Sequence, residues 1–77
     1  MNTENLVTMA NQIGAYYETL PDRAQAVHDI AEHIRKFWEP RMRRELLAFV
    51  DQSAQDTLQL TPILNLAMQQ HRALIVG

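Results

Sequence analysis

Hydrophobic positions recur along this chain at steps of three and four residues, the repeat of a helix with one buried face. Leu6, Met9, Ala10, Ile13, Tyr17 and Leu20 make the first stripe, with Thr8, Asn11, Gln12 and Glu18 opposite, and predict a helix over residues 3–19. Gly14 lies beside that stripe. A glycine inside a helix costs about 1 kcal/mol relative to alanine, so either another backbone passes close to it or the cost is simply absorbed. Leu20-Pro21-Asp22 ends this helix and starts the next, with Asp22 as N-cap and Gln25 completing a capping box. In the second helix Val27, Ile30, Ala31, Ile34, Phe37 and Trp38 form the inward stripe, while Gln25, His28, Asp29, Glu32, Arg35 and Lys36 face away. Pro40 stops it, because a proline disfavours helical dihedrals at the residue before it. The same proline suits the first turn of a third helix over residues 40–50, with Met42, Leu46, Phe49 and Val50 inward. Residues 51–60 read as a connector, polar through Thr57. Thr61-Pro62 is a helix start, and a fourth helix runs to Arg72. Its apolar residues occupy two faces, Ile63, Leu66, Ala67 and Leu74 on one and Leu64, Met68 and Ile75 on the other, which predicts one face for the core and one for a partner. The tail 73–77 is too apolar to stay in water. The expected fold is all-α: a single helical domain over residues 1–77, a small bundle of three to four helices, with its core in 3–50 and a tight corner at Glu39-Pro40.

Composition narrows what such a bundle can do. The chain has 77 residues and no Cys, so neither a disulfide nor a thiolate metal site supports the fold. A core of this size supplies only about 3–5 kcal/mol, which makes a stabilising partner a reasonable expectation. A formal net charge of −2 argues against a general nucleic-acid footprint. The N-terminal residues lack the basic and apolar regions of a secretory signal, and no stretch reaches the roughly 18 apolar residues of a membrane span. A cytoplasmic protein is expected.

The candidate chemistry is sparse. His28 and His33 are five residues apart, about 140° around a helix, and do not converge on one ion. His28 and Glu32 share a face, but two ligands make no site. His71 suits the C-terminal dipole of the last helix. Ser53, the only serine, has no histidine nearby in the sequence. Asp29 and Glu32 sit on an exposed face, a poor place to raise a carboxyl pKa. An enzyme acting alone is therefore not expected. What stands out is the corner: five of the seven basic residues, Arg35, Lys36, Arg41, Arg43 and Arg44, flank Phe37-Trp38-Glu39-Pro40. Arginine forks to carboxylates and sheds water more readily than lysine, and tryptophan beside arginine is enriched at interfaces. Arg41 also has Glu45 within reach in the same helix, and a solvated charged face contributes little. The expected partner-contact residues are Trp38, Pro40, Arg41, Arg43, Arg44 and Leu47. A helix after a tight turn also suits a DNA-binding regulator, against which the acidic balance stands.

Three strings carry a resemblance: Asn11-Gln12-Ile13-Gly14, Leu20-Pro21-Asp22-Arg23, and His33-Ile34-Arg35-Lys36-Phe37-Trp38-Glu39-Pro40-Arg41-Met42-Arg43-Arg44. Over residues 5–50 the chain resembles the delta subunit of soluble NAD-dependent formate dehydrogenase. The resemblance implies a noncatalytic accessory subunit of an enzyme that oxidises formate to carbon dioxide and reduces NAD. It implies that this chain binds no cofactor or metal. A large alpha subunit is expected to hold a molybdenum or tungsten bis-pterin guanine dinucleotide and iron–sulfur clusters, a beta subunit FMN and the NAD site, and a gamma subunit further clusters. The absence of Cys agrees with this, since iron–sulfur ligation requires thiolates. The expected role is to dock on and stabilise the alpha subunit, with no nucleic acid or membrane as partner. A transient chaperone for cofactor insertion is the alternative, and a small DNA-binding regulator the second.

Overall fold

The computed structural model describes residues 2–52 and 59–77. Among these residues the chain forms five helices and no strand: α1 (Thr3–Tyr17), α2 (Arg23–Phe37), α3 (Pro40–Asp51), α4 (Pro62–Gln70) and α5 (Arg72–Val76). Most of the expected connector, including Ser53 and Leu58, lies outside the described residues.

The helix boundaries follow local chemistry. Asn2 caps α1, its Oδ1 accepting from the Asn5 N–H at 2.8 Å, and Glu4 adds a favourable charge in the first turn. α1 stops two residues short of the predicted end. There the Thr19 hydroxyl donates to the Tyr16 carbonyl at 2.7 Å and the backbone tightens to three-residue spacing. Asp22 caps α2 as expected, accepting from the Gln25 N–H at 3.1 Å. Gln25 does not close the box; its side-chain amide donates to Asp29 Oδ1 at 2.8 Å instead.

The corner is as tight as predicted. Trp38 and Glu39 are both extended, and Pro40 opens α3 at its first position. Although joined by two residues, α2 and α3 make almost no contact along their lengths. Both pack instead on α1, α4 and α5.

One contiguous apolar cluster joins all five helices. The buried face of α1 is rotated from the predicted one. Leu6, Val7, Ala10 and Gly14 are buried, while Met9, Ile13 and Tyr17 lie at its edge. Gly14 shows why. A Cβ there would collide with Leu64 Cδ2 and stand 3.2 Å from Ile63 Cγ2, so side chains of the first turn of α4, not a backbone, occupy that space. The C-terminal third departs further from expectation. The predicted helix 62–72 breaks at His71, whose dihedrals (φ −118°, ψ 31°) leave the helical region, and α5 restarts at Arg72. The apolar tail is this last helix; it packs on α2 and buries Ile75 completely. Both apolar faces of α4 are also filled from within, since α1, α2, α3 and α5 all touch it and Ile63, Leu64, Ala67 and Met68 are buried. The second face expected for a partner is therefore core.

Thr61 does not cap α4 with its hydroxyl, which is buried without a hydrogen-bond partner. The connection is held across the fold. Asn11 Oδ1 accepts from the Thr61 N–H at 2.9 Å, and Asn11 Nδ2 donates to the Gln59 carbonyl at 2.9 Å. Asn65 Nδ2 adds a bond to the Leu60 carbonyl at 3.2 Å. Asn11 and Gly14, one turn apart on α1, thus both receive the start of α4.

Candidate partner-binding surface

The six residues singled out at the corner do not form one surface. Pro40, Arg41 and Arg44 face solvent. Among the described residues neither Arg41 nor Arg44 has a hydrogen-bond or ion-pair partner, and the Arg41–Glu45 pair allowed by their spacing is absent. Trp38 and Leu47 turn inward, with 5% and 4% of their surface exposed. Arg43 is half-buried. Its Nη1 donates to the Ile75 carbonyl at 2.9 Å and its Nε is buried without a partner. The cause is α5. Arg43 and Leu47 share a face of α3 at four-residue spacing, and α5 packs on α3. That side was open in the sequence only because the tail had no assigned place.

Sequence reasoning missed two residues that do face out. Phe37 was assigned to the inward stripe but is 72% exposed, and Tyr16 is 65% exposed. Phe37 and Trp38 are adjacent at the last turn of α2, where a helical repeat ranks them almost equally. The extended backbone at Trp38 sends that ring inward and leaves Phe37 outside. The legible signal was the four-residue spacing of His33 and Phe37, whose rings lie 4.8 Å apart. The Tyr17 ring meets His33 at 6.3 Å and Tyr16 at 5.1 Å. Tyr16, Tyr17 and His33 border an open cleft of about 440 Å³ between α1 and α2, lined also by Met9, Gln12, Ile13 and Trp38.

The remaining polar groups serve the fold. Asp51 closes α3 onto the start of α5 through a bidentate pair with Arg72, at 2.9 and 2.7 Å. Hydrogen bonding from Arg72 holds the Asp51 carboxyl below the usual aspartate range, opposed by desolvation and aided by the charge of Arg72. His28 stands 3.8 Å from Asp29 and 3.9 Å from Glu32, and its ring meets His71 edge-on at 5.2 Å. His71 thus faces α2 across the break between α4 and α5. Among the described residues no three His, Asp or Glu side chains are grouped to hold a metal ion. No helix among the described residues is long and apolar enough to cross a membrane.

Compared with known families, the chain matches the one described as NADH-dependant formate dehydrogenase delta subunit FdsD, over residues 5–68. The match spans α1 to α4 with the Asn11 and Gly14 contacts and the whole corner, and extends past the residues that carried the resemblance in the sequence. Neither the curated proteins nor the solved structures give a match.

Proposed function

The chain belongs to the delta-subunit family of NADH-dependent formate dehydrogenases, and we propose that its part in such an enzyme is structural: it docks on the large catalytic subunit and stabilises the assembly. The family match carries this reading. Two features of the molecule support it. The chain has no thiol, so iron–sulfur centres must be ligated elsewhere, and the molybdenum or tungsten cofactor, the clusters and the FMN belong to the alpha, beta and gamma partners. Formate oxidation and NAD reduction are accordingly their work, in the cytoplasm. The second feature is a thin domain that leaves two arginines without a partner on an exposed helix face. A subunit that binds only the folded form stabilises it by mass action.

The contact surface proposed from sequence narrows accordingly. Arg41 and Arg44 remain as the charged contact, donating to carboxylates of the large subunit, with Pro40 exposed beside them. Trp38, Arg43 and Leu47 contribute by holding the corner and α3 in place. The test is retention of the tagged full-length chain on the purified formate dehydrogenase of its source. A permanent subunit is recovered at one copy per catalytic chain, whereas a transient insertion chaperone is not. Reversing both charges, Arg41→Glu with Arg44→Glu, should weaken retention roughly tenfold and reduce its salt dependence, as exposed ionic contacts do. Retention unaffected by that double reversal would remove the arginines from the interface.

A further inference from the structure

We propose that the cleft between α1 and α2 seats the apolar ridge of an acidic amphipathic helix carried by the partner enzyme, an inference that rests on the accessory-subunit reading and gives it a second contact. The cleft runs along α1 from Met9 to Tyr17, eight steps or about 12 Å of helix. That is two turns, the length over which a helix presents side chains at i, i+4 and i+7 to a groove. α1 contributes Met9, Gln12, Ile13 and the two tyrosines, α2 contributes His33, and Trp38 adds the corner. Tyr16 and Phe37 stand out from the surface beside it. Exposed apolar side chains scattered singly are ordinary. Here the two most exposed aromatic rings of the described chain are the ends of one series of ring contacts, Tyr16–Tyr17–His33–Phe37, of which the first three line the cleft.

Charge selects among occupants. Among the described residues no Asp, Glu, Lys or Arg lines the cleft. Three and six residues after Trp38 in the chain, in the first turns of α3, stand Arg41 and Arg44, both exposed and without a side-chain partner among the described residues. Glu39 and Glu45 border the neighbouring hollow beside Arg41 without pairing with it. An occupant whose apolar ridge is flanked by carboxylates would satisfy both features at once. A small molecule fits less well, because such sites are enclosed and carry converging polar groups, and this one is open. A second copy of the chain brings the same Arg41 and Arg44 together with Glu39 and Glu45, a mixed surface that matches the arginines less well than a ridge flanked by carboxylates alone. A stable interface takes about 800 Å² from each partner, near a sixth of the 4820 Å² that the chain exposes, more than the cleft alone supplies, so the proposed footprint takes in the arginines as well.

The experiment uses the full-length chain and the formate dehydrogenase of the same source, purified without this chain. Binding is measured for the wild type, for Tyr16→Ser with Phe37→Ser, and for the arginine reversal. In parallel, Phe37 is replaced by a photo-crosslinking phenylalanine analogue of similar shape. The serine pair should bind at least about tenfold more weakly with an unchanged salt slope, since it removes apolar contact and no charge. The crosslink should fall on a helix of the enzyme that carries Asp or Glu beside apolar residues. Wild-type-like binding by the serine pair would overturn the cleft and leave the accessory reading standing. So would a crosslink to a second copy of the chain, or to a segment without carboxylates. An enzyme that fails to bind the wild type would overturn both. The crosslink decides the matter if the serine pair loses helicity.

Discussion

Replacing Asn11 with Ala removes the one side chain that ties α1 to the start of α4 by hydrogen bonds at both of its ends. The bond from Asn11 Nδ2 to the Gln59 carbonyl is exposed, and water replaces it readily, so its loss costs about 0.5 kcal/mol. The bond from the Thr61 N–H to Asn11 Oδ1 is part-buried. Thr61 stands at the N-cap of α4, where the helix itself supplies that N–H with no acceptor. Leaving it unsatisfied costs about 1–2 kcal/mol. The expected loss is about 2 kcal/mol, near half of what a core of this size provides. For a domain of this length it corresponds to a fall in Tm of roughly 8–16 °C. Thermal unfolding of the full-length chain followed by far-ultraviolet circular dichroism measures it. Asn11→Asp is the informative companion. Its carboxylate still accepts from Thr61 but cannot donate to Gln59, so its Tm should fall between those of the wild type and Asn11→Ala. A Tm for Asn11→Ala within about 2 °C of wild type would refute the reasoning, and equal losses in the two variants would refute the assignment of the acceptor role.

Trp38→Ala should destabilise the chain by about 3–5 kcal/mol, because it empties a buried site at the corner. The isolated variant should show reduced helicity in the absence of denaturant, and full native helicity would place the ring outside the core. The Asp51–Arg72 pair predicts a pH dependence of definite sign. The folded carboxyl titrates below the ordinary aspartate value, about 3.9, so its contribution is present above that value and lost as pH falls through the folded one. Asp51→Asn should therefore melt below wild type near neutral pH, and the two curves should converge under strongly acidic conditions; a gap that stays constant over the whole range would remove the pair from the balance. Salt should narrow the same gap, since the pair is exposed.

The outline of this fold was legible because it rests on local chemistry. Asp22, Pro40 and Pro62 each mark a helix start through the hydrogen bonds or dihedrals of their own neighbourhood, and the stripe of α2 was long enough to fix its buried face. The candidate surface was legible in part. Exposed Arg41 and Arg44 follow from a helical repeat, but the fate of Arg43 and Leu47 depended on α5, an element of five residues too short to show a periodic stripe. Phe37 and Trp38 exchanged roles because neighbouring residues at a helix end differ by only 100° in a pattern, and the extended backbone at the corner settles which ring goes in.

By itself, then, the order of residues determined where the first four helices start, the Asp22 cap, the corner and the membership of the chain in its family, since those depend on groups a few positions apart and on strings preserved in order. Tertiary structure alone decided that Gly14 makes room for Leu64, that Asn11 holds Thr61, and that an apolar tail returns to close α3. Those contacts join residues as many as fifty positions apart. Their partners become neighbours only when the chain buries its apolar faces together, and no local rule carries that information.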